Sequence, residues 1–141
     1  MDATIGRTMG VPTVAELMTT DPLVVPEDLS LRDVARLMEF YQVSGVPVVS
    51  WDGDLVGVVS QTDLIHALTT APLWDAWAGL TARHLMTSPV VTVGAGMAAD
   101  EAARILEDHH IHRLVVVAAD GTPIGILSAT DLVRGLAGQD D

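Results

Sequence analysis

The sequence predicts an α+β fold, with the strand–helix alternation of α/β proteins, built from two copies of one unit. The segment Gly-Val-Val-Ser-Gln-Thr-Asp at 57–63 returns as Gly-Ile-Leu-Ser-Ala-Thr-Asp at 125–131. Both copies follow an Asp-Gly pair, which is typical of a β-hairpin turn, and both precede an apolar helical pattern. We call 57–63 the first corner and 125–131 the second corner.

Each repeat is predicted to begin with a short helical turn, at 13–18 and at 81–86, where a threonine is the candidate N-cap. A short strand is expected next. In the first repeat it lies at 23–25, because Leu-Val-Val follows Pro22 and precedes Pro26, and in the second repeat the matching residues are 90–91 after Pro89.

An amphipathic helix is predicted after that strand. It begins at Ser30, which has the spacing of a capping box with Asp33. Apolar residues then recur every three or four positions as far as Tyr41, which favours a helix with one buried face. The matching helix of the second repeat is expected from Met97 to about His109.

A hairpin and a second helix complete each repeat. The predicted hairpin strands are 46–50, 55–59, 114–117 and 124–127, and the helices that follow end near 70 and 137. One such unit is too small to bury both faces of its sheet. We therefore expect the two repeats to pack together with pseudo-two-fold symmetry.

The expected segments are a lead at 1–12, a first repeat at 13–70, a connector at 71–80, a second repeat at 81–137 and a tail at 138–141. The connector has no counterpart in the other repeat. Its Trp74 and Trp77 form an apolar ridge on one helical turn, and we expect this ridge to pack against the core or a subunit interface.

The composition argues against nucleic-acid binding and membrane insertion. The net charge is −12 and all seven basic residues are arginine, so the surface should repel nucleic acid and anionic membranes. No apolar run approaches the roughly 18–20 residues that span a bilayer, and the N-terminus lacks a signal-peptide pattern. Since cysteine is absent, we expect a cytoplasmic protein.

The repeated segments resemble a tandem pair of CBS domains, a Bateman module. The resemblance covers roughly residues 11–137. It is carried by Leu-Met-Thr at 17–19 and 85–87, Gly-Val-Pro-Val-Val at 45–49, Arg-Leu-Val-Val-Val at 113–117 and the two corners. It implies a regulatory module rather than an enzyme. Such a module senses an adenosine nucleotide (AMP, ADP, ATP or S-adenosylmethionine) in the cleft between its repeats and signals to a separate protein effector.

The resemblance also implies the site residues. In the family the corner aspartate binds the ribose hydroxyls, the corner Ser and Thr contact ribose or phosphate, and nearby strand backbone contacts adenine. The implied residues of the first site are Ser60, Thr62, Asp63, Thr20, Pro22, Val46 and Pro47. Those of the second site are Ser128, Thr130, Asp131, Ser88, Val90, Leu114 and Val115, with His112 and Arg113 as candidates for the phosphate.

The chemistry of the corners fits these roles and also a simpler one. A carboxylate can accept hydrogen bonds from both hydroxyls of a diol, a helix N-terminus favours phosphate, and Gly57 and Gly125 would let a ligand approach the backbone. However, Ser-x-x-Asp is also a helix cap that needs no ligand. Because His112-Arg113 replaces the Ser44-Gly45 of the first repeat, we expect the stronger site near Asp131 and the weaker one near Asp63.

Two other functions stay open. The first is a dimerising scaffold with vestigial sites, since apolar outer faces could also pack between two copies and give a homodimer. The second, less favoured, is a metal-dependent enzyme using His109, His110 and His112, although a helix end with histidines needs no metal. We expect no metal and no catalytic cofactor, because the sequence shows no catalytic nucleophile and no phosphate-binding Walker loop.

Overall fold

Two β-sheets organise the computed structural model, which describes residues 10–69 and 79–138. The helices are α1 (Val14–Leu17), α2 (Leu31–Tyr41), α3 (Gln61–Thr69), α4 (Ala82–Leu85), α5 (Ala99–His109) and α6 (Ala129–Ala137). The strands are β1 (Thr19–Thr20), β2 (Val25–Pro26), β3 (Gly45–Val49), β4 (Leu55–Ser60), β5 (Thr92–Gly94), β6 (Arg113–Val117) and β7 (Pro123–Ser128). The α+β class predicted from the sequence is confirmed.

The chain forms two compact units, each with one sheet. Pro22–Val90 make up the first-corner unit, and Met1–Asp21 with Val91–Asp141 make up the second-corner unit.

The sheet of the first-corner unit has the strand order β2-β3-β4. β2 is parallel to β3, and β3 and β4 form the predicted antiparallel hairpin. Its turn contains Gly53 at φ 93°, a conformation that glycine adopts without steric cost. Thr87 extends this sheet, because its amide donates to the carbonyl of Val58 at 2.8 Å.

The sheet of the second-corner unit has the order β1-β7-β6-β5. β6 and β7 form its hairpin, and Gly121 in the turn has φ 89°. In the same turn the amide of Thr122 donates to Asp120 at 3.0 Å, and its hydrogen bonds hold the pKa of Asp120 below its usual value. β1 pairs antiparallel with β7 at Ile126 and Gly125.

The compact units are not the sequence repeats, because each takes its leading segment from the other repeat. α1 belongs to the second-corner unit, where the amides of Val14 and Ala15 donate to the carbonyls of Met97 and Ala95 at 2.8 and 2.9 Å. α4 belongs to the first-corner unit, where the amide of Ala82 donates to Leu29 at 2.9 Å. The membership of each unit is therefore set by hydrogen bonds and strand pairing between the two repeats, and not by the order of the segments along the chain.

Each core lies where its sheet meets its helices. In the first-corner unit the buried residues are Val25, Val34, Met38, Val46, Val48, Val59 and Ala82. In the second-corner unit they are Val14, Val93, Ala99, Ala102, Leu106, Leu114, Val116, Leu127 and Leu132. In both units one face of the amphipathic helix supplies part of this set, as the periodicity predicted.

Three local expectations were wrong. Tyr41, expected on the buried face of α2, is 55% exposed because it lies at the last residue of the helix. Only half of the capping box predicted at Ser30 is formed. The amide of Asp33 donates to Ser30 Oγ at 3.1 Å, but the carboxylate of Asp33 accepts from Arg36 at 3.3 Å. Pro26 lies inside β2, which is tolerated because β2 is an edge strand.

The strand expected at 90–91 lies instead at β5, Thr92–Gly94. Trp74 and Trp77, most of the lead and most of the tail lie outside the described residues. Among the helices that are described, none combines the length and apolar character needed to cross a membrane.

Candidate ligand-binding corners

The first corner is a closed set of hydrogen bonds between Ser60, the last residue of β4, and Asp63 in the first turn of α3. The amide of Ser60 donates to Asp63 Oδ2 at 2.8 Å, and the amide of Asp63 donates to Ser60 Oγ at 3.1 Å. The hydroxyl of Ser60 also donates to Oδ2 at 2.9 Å. Asp63 is therefore a helix-capping residue, whatever else it binds.

The second corner repeats this cap between β7 and α6. The amide of Ser128 donates to Asp131 Oδ2 at 2.9 Å, and the amide of Asp131 donates to Ser128 Oγ at 3.0 Å. The simpler role considered for the Ser-x-x-Asp pattern is thus present at both corners.

The two aspartates differ in what their second oxygen does. Asp131 is only 8% exposed, and its Oδ1 accepts from Arg134 Nη1 at 3.3 Å. Asp63 is half-buried, and within the described part of the chain its carboxylate accepts hydrogen bonds at Oδ2 only. The second oxygen is therefore engaged by a side chain at Asp131 but not, among the described residues, at Asp63.

One first-turn amide of each corner helix has no acceptor within its helix. The first amides of α3 and α6 are used, because Gln61 donates to Ser44 and Ala129 donates to His112, both at 2.9 Å. The next amides, those of Thr62 and Thr130, have no acceptor within their helices because they belong to the first turn. Both threonines are exposed, so these amides and hydroxyls can meet an anionic group.

The hairpin register places the adjoining predicted residues beside the corners. Arg113, half-buried at the start of β6, is the cross-strand partner of Ser128, and Gly45 is the partner of Ser60. Four neighbouring residues are fully buried: Val46, Pro47, Leu114 and Val115. Because this burial covers the whole residue, neither the side chains nor the backbone groups of these four are exposed to a ligand in this structure.

The corner glycines have a different role from the predicted ligand approach. A Cβ on Gly57 would lie 2.4 Å from Met86 Sδ, and a Cβ on Gly125 would lie 2.5 Å from Met18 Sδ. These methionines belong to the Leu-Met-Thr segments at the start of each repeat. Gly57 and Gly125 thus make room for the leading segment of the other repeat, and the expectation that they serve the ligand is corrected.

The remaining predicted site residues divide between the units. Thr20 is exposed on β1 and pairs with Gly125, so it belongs to the second-corner unit, whereas Pro22 belongs to the first-corner unit with Asp63. Ser88 and Val90 also belong to the first-corner unit.

The three histidines do not assemble a metal site in the structure. Within residues 10–69 and 79–138, no three His, Asp or Glu side chains could hold a metal ion. His109 Nδ1 lies 2.9 Å from the carbonyl of Ile105, and His110 ends α5 in the left-handed conformation at φ 55°.

Arg134 is the corner residue that the sequence reasoning missed. The signal was available, because a residue three positions after Asp131 on a helix lies beside it. In the first repeat the equivalent position is His66.

Comparison with known proteins identifies the family. The CBS domain model matches residues 14–70 and 82–138. Protein MJ1426 of Methanocaldococcus jannaschii is 31% identical over 144 residues, which covers 82% of this chain and 86% of that protein. The inosine-5′-monophosphate dehydrogenase of Nitrosopumilus maritimus is 31% identical over 118 residues. That match covers 84% of this chain but only 23% of the dehydrogenase, so most of the enzyme has no counterpart here.

A solved structure adds a ligand-bound relative. The crystal structure of CBSX2 in complex with AMP superposes with a TM-score of 0.74 at 32% identity, covering 92% of this chain and 99% of that one. The repeated corners, the two matched domains and this common fold agree. This chain belongs to the CBS-domain family, as a tandem pair of CBS domains.

Proposed function

We propose that this CBS pair is a regulatory module that binds an adenosine nucleotide and passes the bound state to a separate protein effector. The AMP held by CBSX2, a relative of nearly the same extent, supports the choice of ligand class. We also propose that the chain works as a homodimer and without a catalytic centre of its own, since its similarity to a dehydrogenase is confined to a small part of that enzyme.

One observation carries this proposal. At the first corner Ser60 holds Asp63 by Oδ2, and among the described residues the second carboxylate oxygen has no hydrogen bond, while the adjacent Thr62 is exposed. A carboxylate suits the ribose diol and a helix N-terminus suits phosphate. One corner therefore offers a binding group for the ribose and another for the phosphate of a nucleotide.

The same geometry gives a reason to reverse the ranking of the sites expected from the sequence. Arg113 and His112 do adjoin the second corner, but Asp131 there is buried and already bound to Arg134. We therefore propose that the first corner binds the nucleotide more tightly and that the second binds only when Arg134 moves.

The test is a thermal-unfolding panel with AMP, ADP, ATP, S-adenosylmethionine and NAD, on protein unfolded and refolded to remove carried-over ligand. A ligand at 100 times its Kd stabilises the native state by about 2.7 kcal/mol, which raises the Tm of a chain this size by several degrees. Guanosine and inosine monophosphates are the matched controls. If no adenosine ligand at millimolar concentration raises the Tm, nucleotide sensing is wrong.

The second candidate function is a dimerising scaffold whose sites are vestigial. It is favoured by the finding that both corner aspartates cap helices, since such residues would be retained without any ligand. In that case Asp63→Asn and Asp131→Asn would leave self-association in sedimentation velocity unchanged, and no nucleotide would alter it.

A further inference from the structure

The turn between β3 and β4 carries a tryptophan that the turn does not need. Trp51 is 92% exposed. The amide of Ser50 donates to the carbonyl of Asp54 at 2.8 Å, and the amide of Gly53 donates to the carbonyl of Ser50 at 2.9 Å. The β6–β7 turn closes with the same two hydrogen bonds, both at 2.9 Å, and has Ala119 at the position of Trp51. Since alanine supports the same turn, the indole ring is available for contact with another molecule.

Acidic residues surround this tryptophan at the end of the sheet. The last residue of β2 pairs with the last residue of β3, so the chain leaves β2 beside the β3–β4 turn. Glu27 and Asp28 follow there, and the amide of Glu27 donates to the carbonyl of Val49 at 2.9 Å. Together with Asp52 and Asp54 they place four acidic residues at this end of the sheet. We call this set the first tip, residues 26–28 and 51–54.

The matching tip of the second-corner unit lacks both the tryptophan and most of the charge. β5 ends beside β6 in the same register as β2 beside β3, so alanine and glycine take the places of Glu27 and Asp28. This second tip is formed by residues 94–96 and 119–122, among which Asp120 alone is acidic. Because both sheets form with such different tips, the fold does not require the residues of the first tip.

The first tip has the chemistry that binds arginine. An indole ring attracts a guanidinium group over its face, and carboxylates accept hydrogen bonds from the guanidinium N–H groups. Asp52 and Asp54 are exposed in the same turn as Trp51. Arg83 pairs with Glu27 at 3.9 Å, and one guanidinium against four carboxylates leaves a net charge of −3 at this end of the sheet. A cation from outside is therefore attracted towards the tryptophan.

Another protein is a better source of that arginine than a second copy of this chain. The net charge of −12 opposes the docking of a second copy on an acidic tip and attracts a basic partner. The arginines of this chain are also largely engaged, since Arg113 is half-buried and four others pair with acidic residues of the same chain. Those four are Arg36, Arg83, Arg104 and Arg134.

We propose that the first tip docks an arginine-bearing segment of the effector protein, with the guanidinium group stacked on Trp51 and paired with the turn carboxylates. This inference rests on the separate effector of the proposed function and names the surface that the effector contacts. Tryptophan and arginine are both enriched among the residues that dominate protein interfaces. Trp51 and Ser60 lie at opposite ends of the β3–β4 hairpin, so the effector and a nucleotide bind without competing for one place.

The first test selects peptides that depend on Trp51. A random peptide library displayed on phage is depleted on Trp51→Ala protein and then panned on the wild type. The variant should fold, because Ala119 supports the same turn in the other unit. Peptides retained by the wild type alone should be enriched in arginine relative to the library. If no peptide depends on Trp51, or if the dependent peptides show no excess of arginine, the proposal is wrong.

The second test measures the affinity of the most enriched peptide by fluorescence anisotropy of a labelled synthetic copy. Trp51→Ala is expected to weaken binding about 30-fold or more, and the double variant Asp52→Asn with Asp54→Asn about fivefold. Phe40→Ala is the matched control, because Phe40 is 77% exposed in the same unit but lies on α2. Equal losses at Phe40 and Trp51, or unaltered binding by the double variant, contradict the proposal.

A change in the peptide distinguishes stacking from charge alone. Lysine in place of the peptide's arginine keeps the charge but loses the planar group that stacks on a ring, so binding to the wild type should fall several-fold. Equal affinity of the two peptides would overturn the stacked geometry.

Nucleotide binding is measured on Trp51→Ala by thermal shift. Trp51 lies away from both corners, so the ligand-induced rise in Tm should persist in a variant that no longer binds the peptide. If no nucleotide raises the Tm while the peptide still binds through Trp51, nucleotide sensing fails and the docking surface stands. The opposite pair of results overturns the docking surface alone.

Discussion

The two corners share one hydrogen-bonded cap, yet they leave their aspartates in different states. Among residues 10–69 and 79–138, Asp63 is held by Ser60 alone, including a bond from the serine hydroxyl. Asp131 is 8% exposed and is held by Ser128 on one oxygen and by Arg134 on the other. Each carboxylate keeps acceptor capacity beyond these two bonds, but Asp131 is less accessible to a diol because it is buried and lies beside Arg134.

This difference shows that two copies of one motif can keep the same local fold while their aspartates have different hydrogen-bond partners. The cap is local and survives in both copies. The state of the outer oxygen depends on the residue three positions later, which is His66 after the first corner and Arg134 after the second. Both the residue three positions after the motif and the burial of the aspartate therefore differ between the two corners.

The largest expected effect on stability concerns Gly57 and Gly125, the first residues of the two corners. Gly57→Ala should destabilise the protein by about 2–3 kcal/mol and Gly125→Ala by about 1–2 kcal/mol, because both overpack a filled site. The larger cost falls on Gly57, whose Cβ would lie 2.8 Å from the Cβ of Met86, an atom fixed to the backbone, whereas the nearest atom to a Cβ on Gly125 is the flexible Sδ of Met18 at 2.5 Å. Urea unfolding measures both.

The partner methionines supply the control for this prediction. Adding Met18→Ala should relieve most of the cost of Gly125→Ala, while Met86→Ala should relieve only part of the cost of Gly57→Ala, because the Cβ of residue 86 remains 2.8 Å from the added methyl group. Equal relief at both corners would show that this contact with the Cβ of residue 86 is unimportant.

The next effect concerns ligand affinity at the two aspartates. Asp63→Asn should weaken AMP binding by about 10- to 100-fold, since a hydrogen bond to a charged group contributes about 1.5–3 kcal/mol. Asp131→Asn should change the affinity by less than about threefold, because Asp131 Oδ1 is already bound. Isothermal titration calorimetry measures both.

Ser30→Ala is the control for lost capping. Ser30 accepts from the amide of Asp33 at 3.1 Å at the start of α2, so its loss should cost stability by about 1 kcal/mol without touching a corner. A larger loss of affinity in Asp131→Asn than in Asp63→Asn would restore the ranking expected from the sequence.

The smallest effect concerns Arg134. Its side chain is 73% exposed, so Arg134→Ala should change the free energy of unfolding by less than about 0.5 kcal/mol. The same change releases Asp131 Oδ1 and should raise the residual AMP affinity of the Asp63→Asn protein a few-fold. A fall in that affinity would instead mean that Arg134 contributes its charge to the ligand.

Much of the fold was predictable because its signals are short-range. The capping pairs at Ser60 and Ser128, the Asp-Gly turns with Gly53 and Gly121, and the buried face of α2 each depend on residues within a few positions of one another. The family followed from the repetition of such signals at one offset. The position of β2 was missed because a strand of two residues is decided by the partner that it pairs with.

The candidate site was predictable in its residues but not in their availability. Ser60, Asp63, Ser128 and Asp131 were found from the motif, and the structure places each pair in a closed hydrogen-bonded set. Tertiary packing decides that Asp131 is buried and which residues contact Gly57 and Gly125. Such packing cannot be predicted from the spacing of residues along the chain.

By itself, the sequence determined the two repeats, their hairpins and helices, and the caps at both corners, because these depend on local backbone chemistry. Only the tertiary structure decided which leading segment packs on which hairpin. β1 adds to β7 and Thr87 adds to β4 because an exposed strand edge pairs with whichever segment reaches it in space. Because the two repeats exchange their leading segments in this way, Met18 packs against Gly125 and Met86 packs against Gly57.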